Sequence, residues 1–232
     1  MNGVVIYLFE HLLYIWNNET NLNNMDNKLQ IIEKIREHLH EQPVKKINLL
    51  EIADAIGEKL SSITSWAPQP EALARQLLNS ELSALRSILS NESQDIESAI
   101  DSLILAGQEF YENFTRINPA FTICLKDIYP DIYTHFLSEK LHLLKDHLRK
   151  NMEKGVASGV YKSTIDTKEI EEKYTQRIEA LHTMDQLHSE HFTFGTIFNN
   201  IIEEFLREVA TEENWHYFRN RKQLIEVFHF GK

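Results

Sequence analysis

Apolar residues recur along this chain at intervals of three and four, the spacing that gathers them on one face of an α-helix. After Asp26, a candidate N-cap, Leu29, Ile32, Ile35, Arg36 and Leu39 keep that spacing until Pro43 ends the run. Ile47, Leu50, Ile52, Ala53 and Ile56 predict a short second helix that Gly57 stops. Ile63 and Trp66 predict a third, broken by Pro68 and Pro70. Pro70 suits the first turn of a fourth helix over 70–89, whose stripe is Leu73, Leu77, Leu78, Leu82, Leu85 and Leu89. A polar break at 91–94 precedes a fifth helix over 95–117, which Asn118-Pro119 ends. A short helix then carries Phe121, Cys124, Leu125 and Ile128, and a long one runs from Pro130 toward Gly155 with Phe136, Leu141, Leu144 and Leu148. Gly155, Gly159 and Tyr161 predict a loop. Asp166 followed by Glu169 is a capping-box pattern before Ile170, Tyr174, Ile178 and Leu181. A further helix carries Phe194, Ile197, Phe198, Ile201, Ile202, Phe205 and Leu206, and a last one follows Thr211 with Trp215, Phe218 and Leu224. The pattern contains no strand alternation, fixed-period repeat or low-complexity tract. With only 7 Gly and 5 Pro in 232 residues, the turns that a sheet protein needs are in short supply. The predicted fold class is all-α.

One segment points to a binding chemistry. Two short helices within 47–66 meet at Gly57, where glycine allows the left-handed backbone of a sharp turn. That spacing fits a helix-turn-helix, whose second helix enters the DNA major groove, and equally a plain helical hairpin. Residues 47–57 read Ile-Asn-Leu-Leu-Glu-Ile-Ala-Asp-Ala-Ile-Gly, and 58–73 continue Glu-Lys-Leu-Ser-Ser-Ile-Thr-Ser-Trp-Ala-Pro-Gln-Pro-Glu-Ala-Leu. This segment resembles the DNA-binding head of the TetR family of transcriptional regulators. Ile52-Ala53, Gly57, Ile63, Pro68, Glu71 and Leu73 fall on the family's positions without a gap. Farther on, Asn118-Pro119-Ala120-Phe121, the run from Gly155 to Tyr161 followed by Ile165-Asp166, and 205–214 resemble the family's later landmarks in order and spacing.

The resemblance implies an apolar N-terminal extension at 1–24, a three-helix helix-turn-helix head at 25–73, and a TetR-like bundle for ligand binding and dimerisation at 74–232. It implies a homodimer formed through the last two helices, operator DNA as partner, and a small apolar effector held between helices of the body. Its candidates for DNA contact are Lys45 and Lys46 before the second helix, and Lys59, Ser61, Ser62 and Thr64 on the recognition helix. Its candidates for the effector pocket are Phe110, Tyr111, Phe114, Phe121, Cys124, Tyr133, Phe136, Phe194 and Phe198, residues that also fit plain core packing.

The chain departs from the family at the DNA face. Thr64 replaces a tyrosine that contacts phosphate, Ala67 an aromatic, and Pro70 a lysine, while Glu58 stands in place of an apolar residue. Between 26 and 75 there are seven basic and eight acidic side chains, and the whole chain carries a net charge of -11. Proteins that bind nucleic acid through bulk charge carry the opposite balance, so DNA contact has to come from a local surface. Two functions therefore stand: a ligand-responsive repressor, and a TetR-fold binding protein for a small molecule or lipid that has lost DNA recognition.

The remaining chemistry narrows the field. The single Cys124 allows no intrachain disulfide and no cysteine metal site, which fits a reducing, cytoplasmic setting. Three Asn-x-Ser/Thr triplets are read as chance in a chain without a secretion signal. Val4 to Trp16 is nearly all apolar but too short to cross a bilayer, and no Lys or Arg precedes it as in a signal peptide. It is either an extension upstream of a start at Met25, or a helix that docks on the body or a partner. Eleven histidines raise a third reading, an enzyme with a His/carboxylate metal site. Its candidates are His188, Glu190 and His191, with Glu139–His142 and Glu179–His182 as weaker pairs. The Glu-x-x-His partner on a second helix is missing, and no phosphate loop, dinucleotide fingerprint or nucleophile elbow is present. The expectation is therefore a non-enzyme without metal or cofactor and without membrane attachment, an acidic surface being unsuited to anionic lipid.

Overall fold

The structure is a computed structural model that describes residues 27–91, 98–183 and 193–229, with only the backbone for 91, 198, 199 and 222–229. The apolar extension at 1–24, the polar break at 92–94 and the histidines at 188 and 191 lie outside the described residues. Secondary structure among the described residues is helical apart from one isolated antiparallel bridge between Tyr161 and Ala210. The chain divides into two compact units with the boundary between Ser80 and Glu81.

The first unit contains α1 (27–41), α2 (Leu49–Ala55), α3 (Leu60–Thr64) and the start of α4 (Pro70–Asn91). Ile31, Ile32, Ile35 and Leu39 of α1 are buried, as are Ile52, Ala53, Ile63, Leu73 and Leu77. Asn48 caps α2, its side-chain oxygen accepting from the Leu50 and Glu51 amides at 3.1 and 3.4 Å. At the other end Gly57 takes φ +69°, which lets the Glu58 amide reach the Ala53 carbonyl at 2.9 Å and the Gly57 amide reach Asp54 at 3.2 Å. That pair of bonds is a Schellman ending, and it turns the chain into α3 within four residues. The sequence placed Trp66 on the third helix; it lies just past the end of α3, in the turn before Pro68.

The second unit holds the rest of α4, then α5 (Ala99–Glu112), α6 (Phe114–Ile117), a 3-10 turn (Pro119–Phe121), α7 (Leu125–Ile128), α8 (Pro130–Ala157) and α9 (Thr167–Ala180). It closes with α10 (Phe194–Phe198), a π-turn (Asn199–Glu203), α11 (Glu204–Val209) and α12 (Glu212–His229). Helix α8 is the spine: α5, α7 and α9 all pack against it. Ile100, Leu103, Met152, Tyr174, Phe205 and Leu206 belong to one buried cluster, with Tyr161 edge-on to Phe205 at 6.0 Å.

Three boundaries differ from the pattern. The expected fifth helix breaks at Asn113, whose side-chain amide donates to the Glu109 carbonyl at 3.0 Å and competes with continued helix. Gly155 lies inside α8 rather than in a loop; a Cβ there would sit 2.1 Å from the Tyr161 ring, so it is glycine for close approach. The turn falls at Gly159, which takes φ +73°. The helix predicted around Phe194 to Leu206 is interrupted by the π-turn, a widening often found where a helix lines a site.

Candidate ligand cavity and helix-turn-helix surface

In the first unit the turn at Gly57 sets α2 against α3, and the outward residues form the candidate DNA face. Lys45, Lys46, Lys59 and Ser61 are exposed, while Ser62 and Thr64 are half-buried. Lys45 and Lys46 lie ahead of α2, and Lys59 occupies the N-cap position of α3 without capping it. Two other lysines of this unit are engaged internally. Lys34 Nζ meets Glu58 Oε1 at 2.6 Å, and Lys28 Nζ donates to Gln76 Oε1 at 2.8 Å while lying 5.3 Å from the Trp66 ring centre. The family-atypical Glu58 is thus neutralised by a neighbour. Ala67, also atypical, is fully buried, so it serves packing. Leu50 and Leu60 are exposed at 54% and 37%, an apolar element on this face that polar patterning did not suggest.

The second unit encloses an apolar cavity of about 160 Å³. Phe110 comes from α5, Phe114 from α6, Leu144 from α8, Ile178 from α9 and Phe194 from α10. Ile201 and Ile202, adjacent residues of the π-turn, both line it. A second void of about 70 Å³ shares Phe110, Leu144, Ile178, Ile201 and Ile202 with it, so those side chains are the partition between the two. Tyr111 and Phe114 meet the Phe194 ring edge-on at 5.3 and 5.9 Å.

Of the nine aromatic and thiol candidates, Phe110, Phe114 and Phe194 reach the cavity wall. Tyr111 stands behind Phe194 and is exposed at 38%. Cys124, Tyr133 and Phe136 are buried, and Phe121 is half-buried; none of the four lines the cavity. Tyr133 packs edge-on against Phe136 at 5.5 Å, and burial, with the Glu81 carboxylate next, pushes its hydroxyl far above the usual tyrosine range. The side chain of Phe198 lies outside the described ones.

One end of the cavity is polar, and no pattern of apolar residues announced it. Lys140 lines the cavity and is buried, its Nζ 2.7 Å from Glu81 Oε1. Thr122 donates to the other Glu81 oxygen at 2.9 Å. His182 also lines the cavity, and its Nδ1 is 3.1 Å from the Ile178 carbonyl. A signal existed. Glu81 stands between Leu77, Leu78 and Leu85, and Lys140 between Phe136 and Leu144, each on its helix's apolar stripe. Two opposite charges at buried positions are expected to pair. His142 is exposed and His182 buried, and among the described residues no group of three or more His, Cys, Asp or Glu is placed to hold a metal ion. Among the described residues no helix is long and apolar enough to cross a membrane.

No family model matches the sequence, and no curated protein matches it significantly. Solved structures do. The fold is similar to that of the ketosteroid transcriptional regulator KstR2 of Mycobacterium tuberculosis, with a TM-score of 0.57 and 10% identity over 79% of this chain and 94% of that one. It is also similar to a gamma-butyrolactone receptor, an ArpA-like protein, with a TM-score of 0.60 and 11% identity over 84% of this chain and 94% of the other. The chain therefore has a TetR-like fold, an all-α architecture with a helix-turn-helix head followed by a helical bundle.

Proposed function

We propose that this protein is a cytoplasmic, ligand-responsive transcriptional repressor that binds operator DNA as a homodimer formed through the helices after residue 193. The observation that carries this reading is a capped helix-turn-helix with Lys45, Lys46 and Lys59 exposed, in a chain whose second unit encloses an apolar cavity. Both similar structures are of proteins named for regulation or for reception of a small molecule. A small effector in the cavity would favour one arrangement of the dimer over another and thereby change operator affinity, a population shift between two states. The head then spans residues 25–73 and the effector and dimer domain 74–232. Lys45, Lys46 and Lys59 contact phosphates, and Ser61, Ser62 and Thr64 approach the groove.

Anisotropy titration of the DNA upstream of its own coding sequence tests this. Binding is expected to weaken steeply with salt, and Lys45→Ala with Lys46→Ala to reduce the log–log salt slope by about 2, near 0.9 per lost phosphate contact. Absence of binding at low salt refutes the repressor. The head's balance of seven basic and eight acidic groups favours, in that event, a TetR-fold protein that binds a small molecule or lipid and no DNA. An apolar molecule released from purified protein and seen by mass spectrometry would support that second reading.

A further inference from the structure

The polar end of the cavity is incomplete in a way that specifies what completes it. His182 is only 3% exposed. Its Nδ1 faces the Ile178 carbonyl, which can only accept, so Nδ1 carries the ring proton and Nε2 is a bare acceptor. Because Nδ1 turns back to its own helix, the opposite edge of the ring turns away from it. Nε2 is buried and has no partner among the described residues. Burial, with the Lys140 ammonium second, holds the imidazole pKa down at about 3, so the ring does not complete itself by taking a proton. Lys126 donates to the His182 carbonyl at 3.0 Å and holds the ring's backbone in place. Lys140, anchored on Glu81, lines the same cavity, and its ammonium has three hydrogens to give.

We propose that the cavity selects a neutral, benzene-sized molecule with one hydroxyl, a phenol or compact alcohol, whose O–H donates to His182 Nε2 and whose oxygen accepts from Lys140. The inference rests on the reading of this cavity as the effector site. Size follows from volume: at about 160 Å³ it matches the apolar cavities of about 150 Å³ that take up benzene. Phe110, Phe114 and Phe194 supply the apolar wall. Chemistry follows from the two polar groups. A carboxylate meets the acceptor Nε2 with another lone pair, and a hydrocarbon leaves both groups unanswered. A hydroxyl alone donates to one and accepts from the other. Because Nε2 is already out of water in the folded protein, its new hydrogen bond is not offset by fresh desolvation on the protein side.

Calorimetric titration of the full chain with phenol, toluene and benzoate tests the assignment. Phenol is expected to bind about tenfold more tightly than toluene, with benzoate weakest. In His182→Leu the order of phenol and toluene reverses, because the hydroxyl is then buried without its acceptor, while toluene binding is unchanged. Equal affinity of phenol and toluene for the wild-type protein overturns the hydroxyl assignment and leaves the cavity as an effector site. Failure of all three to bind overturns both. Should His182→Leu not fold, the wild-type imidazole ¹⁵N spectrum decides, His182 being the ring that stays neutral at pH 5. Phenol, and not toluene, moves its Nε2 resonance upfield; an unmoved resonance overturns the proposal.

Discussion

Two polar clusters are buried along α8, one near its start and one near its end, and they are built on opposite terms. At the far end the Asn151 amide donates to the Ala99 carbonyl at 2.8 Å and accepts from the Tyr161 hydroxyl at 2.7 Å. The Tyr161 ring fills the space over Gly155, and its backbone is pinned by the bridge to Ala210. The same segment donates from Lys162 to Val209 at 2.9 Å and accepts at Val160 from Thr211 at 3.1 Å. At the near end Lys140, Glu81 and Thr122 bond to one another, but the His182 Nε2 and the Tyr133 hydroxyl beside them have no partner among the described residues. The engaged cluster locks α5, α8 and the loop after α8 together. The incomplete one borders the cavity. A buried polar group left short of a partner costs about 1–3 kcal/mol, so its retention at a cavity wall marks a place for binding rather than for stability.

The largest expected effect comes from breaking the near cluster. Lys140→Met leaves the fully buried Glu81 carboxylate without its cation, and urea denaturation should show a loss of about 3–5 kcal/mol. Glu81→Leu combined with Lys140→Met should recover most of that, because a buried ion pair replaced whole by apolar side chains is close to neutral. If the single and double variants lose the same amount, the pair is not a coupled unit and the contrast between the two clusters fails.

The far cluster answers to shape instead of charge. Alanine in place of a mid-helix glycine ordinarily stabilises by about 1 kcal/mol. At Gly155 the added Cβ would meet Tyr161 ring atoms at 2.1 and 2.4 Å, and that ring is held at its far end by Asn151. Overpacking of this kind costs about 1–3 kcal/mol, so Gly155→Ala should destabilise by about 2 kcal/mol in the same assay. A neutral or stabilised variant would mean that Tyr161 can move aside and that this end is no more closed than the other.

The same contrast explains what the sequence made legible. The helices were readable because apolar spacing, Pro70, Asn118-Pro119 and the Asp166 cap act locally, and local rules set where most of them begin and end. The Gly57 turn was readable for the same reason. Phe110, Phe114 and Phe194 were recognisable as aromatics on helix faces, but nothing in their spacing separates a cavity wall from the solid core that holds Tyr133 and Phe136. Glu81, Lys140 and His182 come from three distant parts of the chain, and their meeting is a product of tertiary packing. Each did leave a mark, as a polar residue where the helical period called for an apolar one. The interruption at Asn199–Glu203 left none, since Ile201 and Ile202 fit an uninterrupted helix equally well.

The smallest effect sharpens the contrast through pH. His182 has its folded-state pKa near 3 against the ordinary 6.5, because burial penalises the imidazolium and Lys140 adds to that. Between those values the unfolded chain takes up a proton that the folded protein refuses. The stability this group contributes is therefore complete above pH 6.5 and is lost as pH falls toward 3. From pH 6.5 to 5.5 the wild-type protein should lose about 1 kcal/mol more than His182→Gln, the other titrating groups being common to both proteins. The far cluster contributes nothing in this range. Its one titrating member, Tyr161, is pushed by burial well above the usual tyrosine range and keeps its proton throughout. Parallel stability curves for the two proteins between pH 5.5 and 7.5 would show that His182 reaches water, and the near cluster would then be an ordinary solvated edge of the bundle rather than the wall of a binding cavity.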